Sequence, residues 1–268
     1  MKKLLVLLLG LLVVLALAAG CGQGQQEEAK KLVVGATPVP HGDILNFVKP
    51  MLAKEGIELE VKEFTDYRTP NIALADGEID ANYFQHVPYL EDFCKEHNLD
   101  LTWTAKIHFE PMGLYSKKVK SVDEFKEGAT IAIPNDPTNG GRALVVLEKA
   151  GLLKLKEGVG IKATVADIVE KKVNVKELEA AMLPQVLDDV DGAVINGNYA
   201  VQAGFKATDA LVAEDAASEA ADVYGNVVAV RKGDENRPEI QKLTEVLQSP
   251  EVKEFINEKY AGAVVPTF

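Results

Sequence analysis

Apolar positions along this chain fall into two regimes. Residues 4–19 form one continuous apolar run behind Lys2 and Lys3, whereas from Leu32 onward short β-branched clusters alternate with helical periodicities. Residues 32–36 read as a first strand; Ile44, Leu45, Phe47, Val48, Met51 and Leu52 then recur at helical spacing, with Pro50 expected to kink that helix. Gly56 ends it, 57–64 alternates as a second strand, 71–76 is a short helix, 79–83 a third strand, and 87–97 again helical. A similar series follows: 121–124 has the form of a capping box, 129–133 is a strand, 141–150 a helix, 177–187 an amphipathic segment broken by Pro184, and 192–195 a strand. The chain returns as a strand over 227–230 and finishes with helices over 238–247 and 250–260. Two α/β lobes, each a mostly parallel sheet flanked by helices, account for this order better than one sheet. Ligands in such folds sit beyond the carboxyl ends of the strands, so the loops there hold the candidate site.

The run 4–19 is shorter than the roughly 20 residues a bilayer span needs, and polar sequence follows it, so 1–20 reads as a secretory signal. The small residues before Cys21 resemble a lipobox, at which a signal peptidase cuts and the cysteine receives lipid, although Ala18 stands where such boxes carry leucine. An ordinary secretory signal with an incidental cysteine is the alternative. Residues 22–31 contain no aromatic or β-branched residue, so 21–31 reads as a lipidated flexible tether. The expected location is the extracytoplasmic face of the cell membrane, with Cys21 as the anchor.

Lys and Arg total 29 against 41 Asp and Glu, a formal net charge of −12, and Lys2 and Lys3 leave with the signal. Such a surface repels phosphate backbones, which argues against nucleic acid as a partner. With Cys21 committed to lipid, Cys94 is the remaining thiol; it lies in the pattern Tyr89, Leu90, Phe93 and reads as a buried small hydrophobe, and no internal disulfide is expected. His41, His86, His97 and His108 lack metal-ligand spacing, and neither a nucleophile elbow nor a dinucleotide-binding glycine motif is present. No catalytic residue, metal or cofactor is expected, and His41, after Pro40, reads as a capping or packing residue.

The loops at the expected strand ends are richer. Tyr67 and Arg68 follow the second strand, and Tyr83, Phe84, Gln85 and His86 follow the third, suggesting an apolar wall with a polar edge; a plain core plug is the alternative for Tyr83 and Phe84. In IPNDPTNGGRA (133–143) a strand leads through Asp-Pro to Thr138, Asn139 and two glycines opening a helix, a place where anions are stabilised. Arg142 in that first turn opposes the helix dipole, so it needs another reason: bidentate capture of a ligand carboxylate, or a surface pairing with a carboxylate of the chain itself. Asn196, Asn198 and Tyr199 follow a strand, and Tyr224, Gly225 and Asn226 precede one. An asparagine amide both donates and accepts, yet Asn-Gly is also a common plain turn.

FTDYRTPNIALADGEIDANYFQHVPYL (64–90), EPMGLYSKKV (110–119), IAIPNDPTNGGRAL (131–144), LDDVDGAVINGNYA (187–200) and the stretch 224–231 closely resemble the methionine-binding lipoproteins of the NlpA family, substrate-binding components of methionine ABC importers. The resemblance covers 32–268. It implies a type II periplasmic-binding-protein fold, with 32–112 plus 229–268 as lobe I, 113–228 as lobe II and the ligand in the cleft between them. It further implies Arg142 on the ligand carboxylate, Asn139 and Asn196 near the ligand's polar end, and Asn226 holding the amino acid. Tyr67, Tyr83, Phe84 and His86 then form the wall for a thioether side chain, with Tyr199 and Tyr224 as neighbours. The implied partners are L-methionine, D-methionine or a methionine-containing dipeptide, and the importer permease in the membrane; the chain itself is expected to be a monomer. A surface adhesin, or an exported enzyme using His86 or His41, are the competing classes.

Overall fold

The computed structural model describes residues 29–268, so the signal segment, Cys21 and most of the tether lie outside the described residues. The chain builds β1 (Lys30–Ala36), α1 (Asp43–Lys54), β2 (Ile57–Glu63), α2 (Thr69–Ala75), β3 (Ala81–His86), α3 (Val87–His97) and β4 (Leu101–Phe109). After crossing over it forms β5 (Gly113–Tyr115), β6 (Thr130–Pro134), α4 (Pro137–Lys149), β7 (Leu153–Leu155), β8 (Ile168–Lys171), β9 (Asn174–Leu178), β10 (Gly192–Ile195), α5 (Gly197–Gln202), β11 (Val212–Ala213) and α6 (Glu219–Val223). A second crossing brings it back for β12 (Asn226–Arg231), α7 (Pro238–Leu247), α8 (Pro250–Tyr260) and β13 (Val265–Pro266).

Two sheets result, with orders β13-β4-β12-β3-β1-β2 and β11-β5-β10-β6-β9. Strands β1, β2 and β3 run parallel, as do β6, β9 and β10. In each sheet the strand that arrives from a crossover is inserted antiparallel: β12 between β3 and β4, and β5 between β10 and β11. This is the two-lobed α/β periplasmic-binding-protein architecture. The return to the first sheet occurs at Asn226, ahead of the expected boundary at 229, because Asn226 already pairs with His86 and His108.

Each sheet carries its own core. Leu32, Val34, Tyr83, Ile107 and Val228 meet Ile44, Val48, Leu243 and Ile256 of the covering helices in the first, while Ile131, Ile133 and Val194 meet Leu144 and Leu147 of α4 in the second. Cys94 is only half-buried, at the rim of the satellite cluster around Leu90.

Several local departures shape the site. Helix α4 starts at Pro137, earlier than the periodicity suggests, because the Asp136 carboxylate accepts the Asn139 N–H at 2.9 Å and caps it. Arg142 therefore lies in the second turn, not the first. The glycines ahead of it serve packing: a Cβ on Gly141 would sit 2.3 Å from the Ile161 carbonyl oxygen. Residues 177–187 are not a single amphipathic segment; β9 pairs with β6 through Leu178, and two short 3-10 turns, Ala180–Met182 and Gln185–Asp188, follow on either side of Pro184. At 121–124 the capping box is incomplete, since Glu124 accepts from Ser121 Oγ and the Lys120 N–H rather than the Ser121 N–H.

Candidate ligand site

The carboxyl ends of β3 and β10, the start of α4 and both crossovers converge on a small cavity between the lobes. Lobe I supplies an aromatic wall. Tyr67 lies 5.9 Å from Phe84 and 5.8 Å from Tyr89, ring to ring, and the Tyr89 hydroxyl donates to the Tyr67 carbonyl at 2.9 Å. Phe84 reaches this wall because β3 is irregular there: Val227 pairs with Gln85 and the next residue, Val228, with Tyr83, leaving Phe84 as a bulge.

Hydrogen bonds tie the two lobes together across the cavity. The Tyr67 hydroxyl donates to Asn198 Oδ1 at 2.5 Å, the Tyr199 hydroxyl to the Thr65 carbonyl at 3.1 Å, and His86 Nε2 to Asn139 Oδ1 at 3.1 Å. His86 Nδ1 accepts the Tyr89 N–H, which fixes the tautomer. Burial, reinforced by the nearby Arg142 cation, pushes the His86 pKa down to about 3, so its imidazole is neutral.

The opposite wall is made of amides and one arginine. Asn139 spends its whole amide inside the protein, donating to both Asp136 oxygens and accepting from His86 and from Asn196 Nδ2 at 2.9 Å. That leaves Asn196 Oδ1 and Asn198 Nδ2 buried without a partner among the described residues, one acceptor and one donor beside the same cavity. Arg142 is likewise largely committed. Its Nε and Nη2 grip Glu214 at 2.7 and 2.5 Å, Nη2 also donates to the Glu110 carbonyl at 2.9 Å, and the Tyr224 ring covers the guanidinium at 4.2 Å. Only Nη1 has no acceptor among the described residues. Glu214 in turn accepts the Met112 N–H at 2.8 Å, so one buried ion pair pins both crossovers.

Beneath the polar end lies a buried network. Glu110 Oε1 stands 2.6 Å from His108 Nε2 and 3.3 Å from His41 Nε2, which also faces Asn226 Oδ1 at 3.0 Å. The remaining ring nitrogens meet hydroxyls, Thr37 at His41 and Tyr83 at His108. Burial holds both imidazoles neutral, with pKa values lowered to about 4 for His41 and about 3 for His108, and raises that of Glu110. His41, His108 and Glu110 bring potential metal-ligating atoms together, but hydrogen bonds among themselves and to these hydroxyls already satisfy them. His41 thus packs and orients, as expected, but at the floor of the site.

Residues 32–268 match the profile of the NlpA lipoprotein family. The chain belongs to the NlpA lipoproteins. It is 41% identical over 275 residues to the methionine-binding lipoprotein MetQ of Bacillus subtilis, covering 99% of each chain. Among solved structures it resembles a nutrient-binding protein of Burkholderia cenocepacia bound to methionine (TM-score 0.84, 43% identity, 88% of this chain and 100% of that one). It also resembles an ABC-transporter periplasmic substrate-binding protein of Coxiella burnetii (TM-score 0.82, 41% identity, 88% and 100%).

In this NlpA lipoprotein the fold gathers Tyr67, Phe84, His86, Asn139, Arg142, Asn196 and Asn226 around the cavity. Tyr83 is not among them: it is wholly buried in the lobe I core, its hydroxyl on His108, because the bulge at Phe84 separates the two neighbours. Tyr199 and Tyr224 back the site rather than line it, Tyr199 against Tyr67 with ring centres 4.9 Å apart and Tyr224 over Arg142. Gln85 and Asn198, named in the sequence only as members of their loops, line it too, and Tyr89 and Glu110 line it without having been singled out. Tyr89 carried a signal, since it sits one helical turn after His86 in a stretch dense with aromatics; Glu110 opens the stretch 110–119 that carries the family resemblance, but as one acidic residue among 41 nothing in its type marks it for the site.

Proposed function

We propose that this NlpA lipoprotein is a non-enzymatic, monomeric receptor that captures methionine in the interlobe cleft and hands it to an ABC importer, while lipid on Cys21 holds it at the membrane. The observation that carries the reading is the pair of buried, unpartnered amide atoms, Asn196 Oδ1 and Asn198 Nδ2, facing a cavity whose other wall is aromatic. A zwitterionic head group supplies both a donor and an acceptor, and a thioether suits the rings of Tyr67, Phe84 and Tyr89 through S···aromatic contacts of about 0.3–1.5 kcal/mol each. The carboxylate belongs against Arg142 Nη1 and Asn198 Nδ2. Asn139 acts one step back, positioning Asn196. The methionine-binding names and structure among its relatives support the same cargo, and the ABC-transporter relative supports the delivery step. Closure follows from higher affinity of the closed state for ligand.

Protein unfolded to strip bound ligand and then refolded should release heat on titration with L-methionine and saturate at one ligand per chain. A folded protein that gives no heat would refute the cargo. No helix among the described residues is long and apolar enough to cross a membrane; the small residues leading into Cys21 are what support the lipid as the attachment. Cys21→Ser should move the protein from the membrane pellet to the soluble fraction with methionine affinity unchanged; a variant that still sediments with membranes would show that Cys21 is not the anchor.

A further inference from the structure

We infer that the Tyr199 hydroxyl and the Thr65 carbonyl form a closure latch, a bond between the lobes that sets how long the shut cleft holds its cargo without choosing the cargo. The inference rests on the receptor reading above. Tyr199 stands on α5 of lobe II, and its hydroxyl donates to the Thr65 carbonyl of lobe I at 3.1 Å. Neither residue lines the cavity. The Tyr199 ring belongs to the buried lobe II cluster of Leu183, Leu187 and Ile195, and Tyr67 of lobe I packs against it with ring centres 4.9 Å apart. When the lobes part, the ring keeps its place in lobe II, whereas the bond to Thr65 is lost.

The acceptor is fixed in advance. On one side of Thr65 the Phe64 N–H donates to the Ala36 carbonyl at 2.9 Å, which ties the loop to the end of β1. On the other side Asp66 Oδ1 accepts the N–H groups of Arg68 and Thr69 at 2.8 and 2.7 Å and leads the chain into α2. Thr65 is held between these two points, so presenting its carbonyl to lobe II requires no further ordering of the loop at closure. Asp66 does not line the cavity and acts on the latch only through the loop.

A neutral hydrogen bond of this kind shifts an equilibrium by about two- to tenfold. Here the whole shift falls on the closing step, because the bond exists only between shut lobes and the ligand does not touch it. A ligand enters the open cleft and so arrives at a rate the latch does not affect; it leaves after reopening, so the latch acts on the dissociation rate. Tyr67 differs in this respect. Its hydroxyl also crosses between the lobes, to Asn198 Oδ1, but its ring lines the cavity, so any change there mixes closure with ligand contact. Tyr199 is therefore a positioning residue for the closed state, and its effect is the same for every ligand that the cleft closes on.

The experiment measures association and dissociation rates of labelled L-methionine and labelled L-selenomethionine on the full-length protein in detergent, each complex being chased with excess unlabelled ligand. Tyr199→Phe keeps the ring and removes the hydroxyl. It should raise the dissociation rate by about three- to tenfold, by the same factor for both ligands, with association within about twofold of the parent. Asp66→Ala, which frees the loop of the acceptor, should also speed dissociation, and adding Tyr199→Phe to it should change that rate by less than about twofold, because both act through one bond. An unchanged dissociation rate in Tyr199→Phe, a loss carried by association, a factor that differs between the two ligands, or effects of the two substitutions that multiply would each overturn the latch and leave the methionine reading intact. A parent protein that binds no L-methionine would overturn both.

Discussion

Arg142→Ala should weaken methionine binding by about 100-fold or more and at the same time remove about 3–5 kcal/mol of folding stability, the usual cost of deleting one partner of a buried ion pair. The two losses share one cause. Without the guanidinium, Glu214 is left as a buried carboxylate with only the Met112 N–H, and the Glu110 carbonyl loses its donor, so both crossovers are loosened. An incoming ligand carboxylate would then face the bare charge of Glu214 rather than a cation. Arg142→Lys keeps a positive charge but has a single nitrogen, which cannot span both Glu214 oxygens, the Glu110 carbonyl and a ligand. It should recover part of the stability and little of the affinity. Calorimetry with L-methionine and denaturant unfolding on the same preparations separate the effects: a variant that loses stability but binds within threefold of the parent would make Arg142 a hinge strut and not a ligand group.

Elements with an undiluted period were legible from the chain alone. The spans 87–97, 192–195, 238–247 and 250–260 coincide with α3, β10, α7 and α8, because in each the apolar spacing, an initial proline or a flanking glycine point the same way. The long central strand β4 was not. Trp103, Ala105, Ile107 and Phe109 alternate along it, but Lys106 and His108 occupy the other face, and His108 is buried only because Glu110 and Tyr83 satisfy it. In 177–187 local spacing imitates a helix, and pairing of β9 with β6 overrides it.

The site was legible where residue type alone points to chemistry, and illegible where tertiary geometry decides. Asn139, Arg142 and Asn196 do converge, yet the chain itself consumes most of what Asn139 and Arg142 could offer a ligand. Of the two expectations for Arg142, pairing within the chain is realised, but as a buried pair on the hinge rather than a surface contact. Glu214 sits far away in sequence, and nothing in its neighbourhood marks it. Tyr83 and Phe84 look equivalent in sequence; a one-residue bulge sends one to the core and the other to the cavity.

Acidification should destabilise the fold steeply, because three buried histidines are held neutral. The folded pKa values are about 4 for His41 and about 3 for His86 and His108, each lowered from 6.5 chiefly by burial. Below pH 6.5 the unfolded chain therefore binds protons that the folded protein refuses, so stability falls as pH falls, starting at the unfolded value and continuing to about 4 for His41 and about 3 for the other two. Each group can contribute up to about 1.4 kcal/mol per pH unit, so the three together should cost about 6 kcal/mol by about pH 5, before any opposing response of the carboxylates. The sign reverses for Glu110 and Asp136. Burial raises their pKa values, so the folded state takes up their protons first, and their response opposes the histidines at the acid end. Urea midpoints measured from neutral pH downward should fall accordingly, and His86→Gln, which removes one titrating group, should flatten the slope by about a third. A midpoint that holds steady between about pH 7 and pH 5 would mean that the three imidazoles reach protons without unfolding, and the closed, dry floor beneath the ligand site would have to be abandoned.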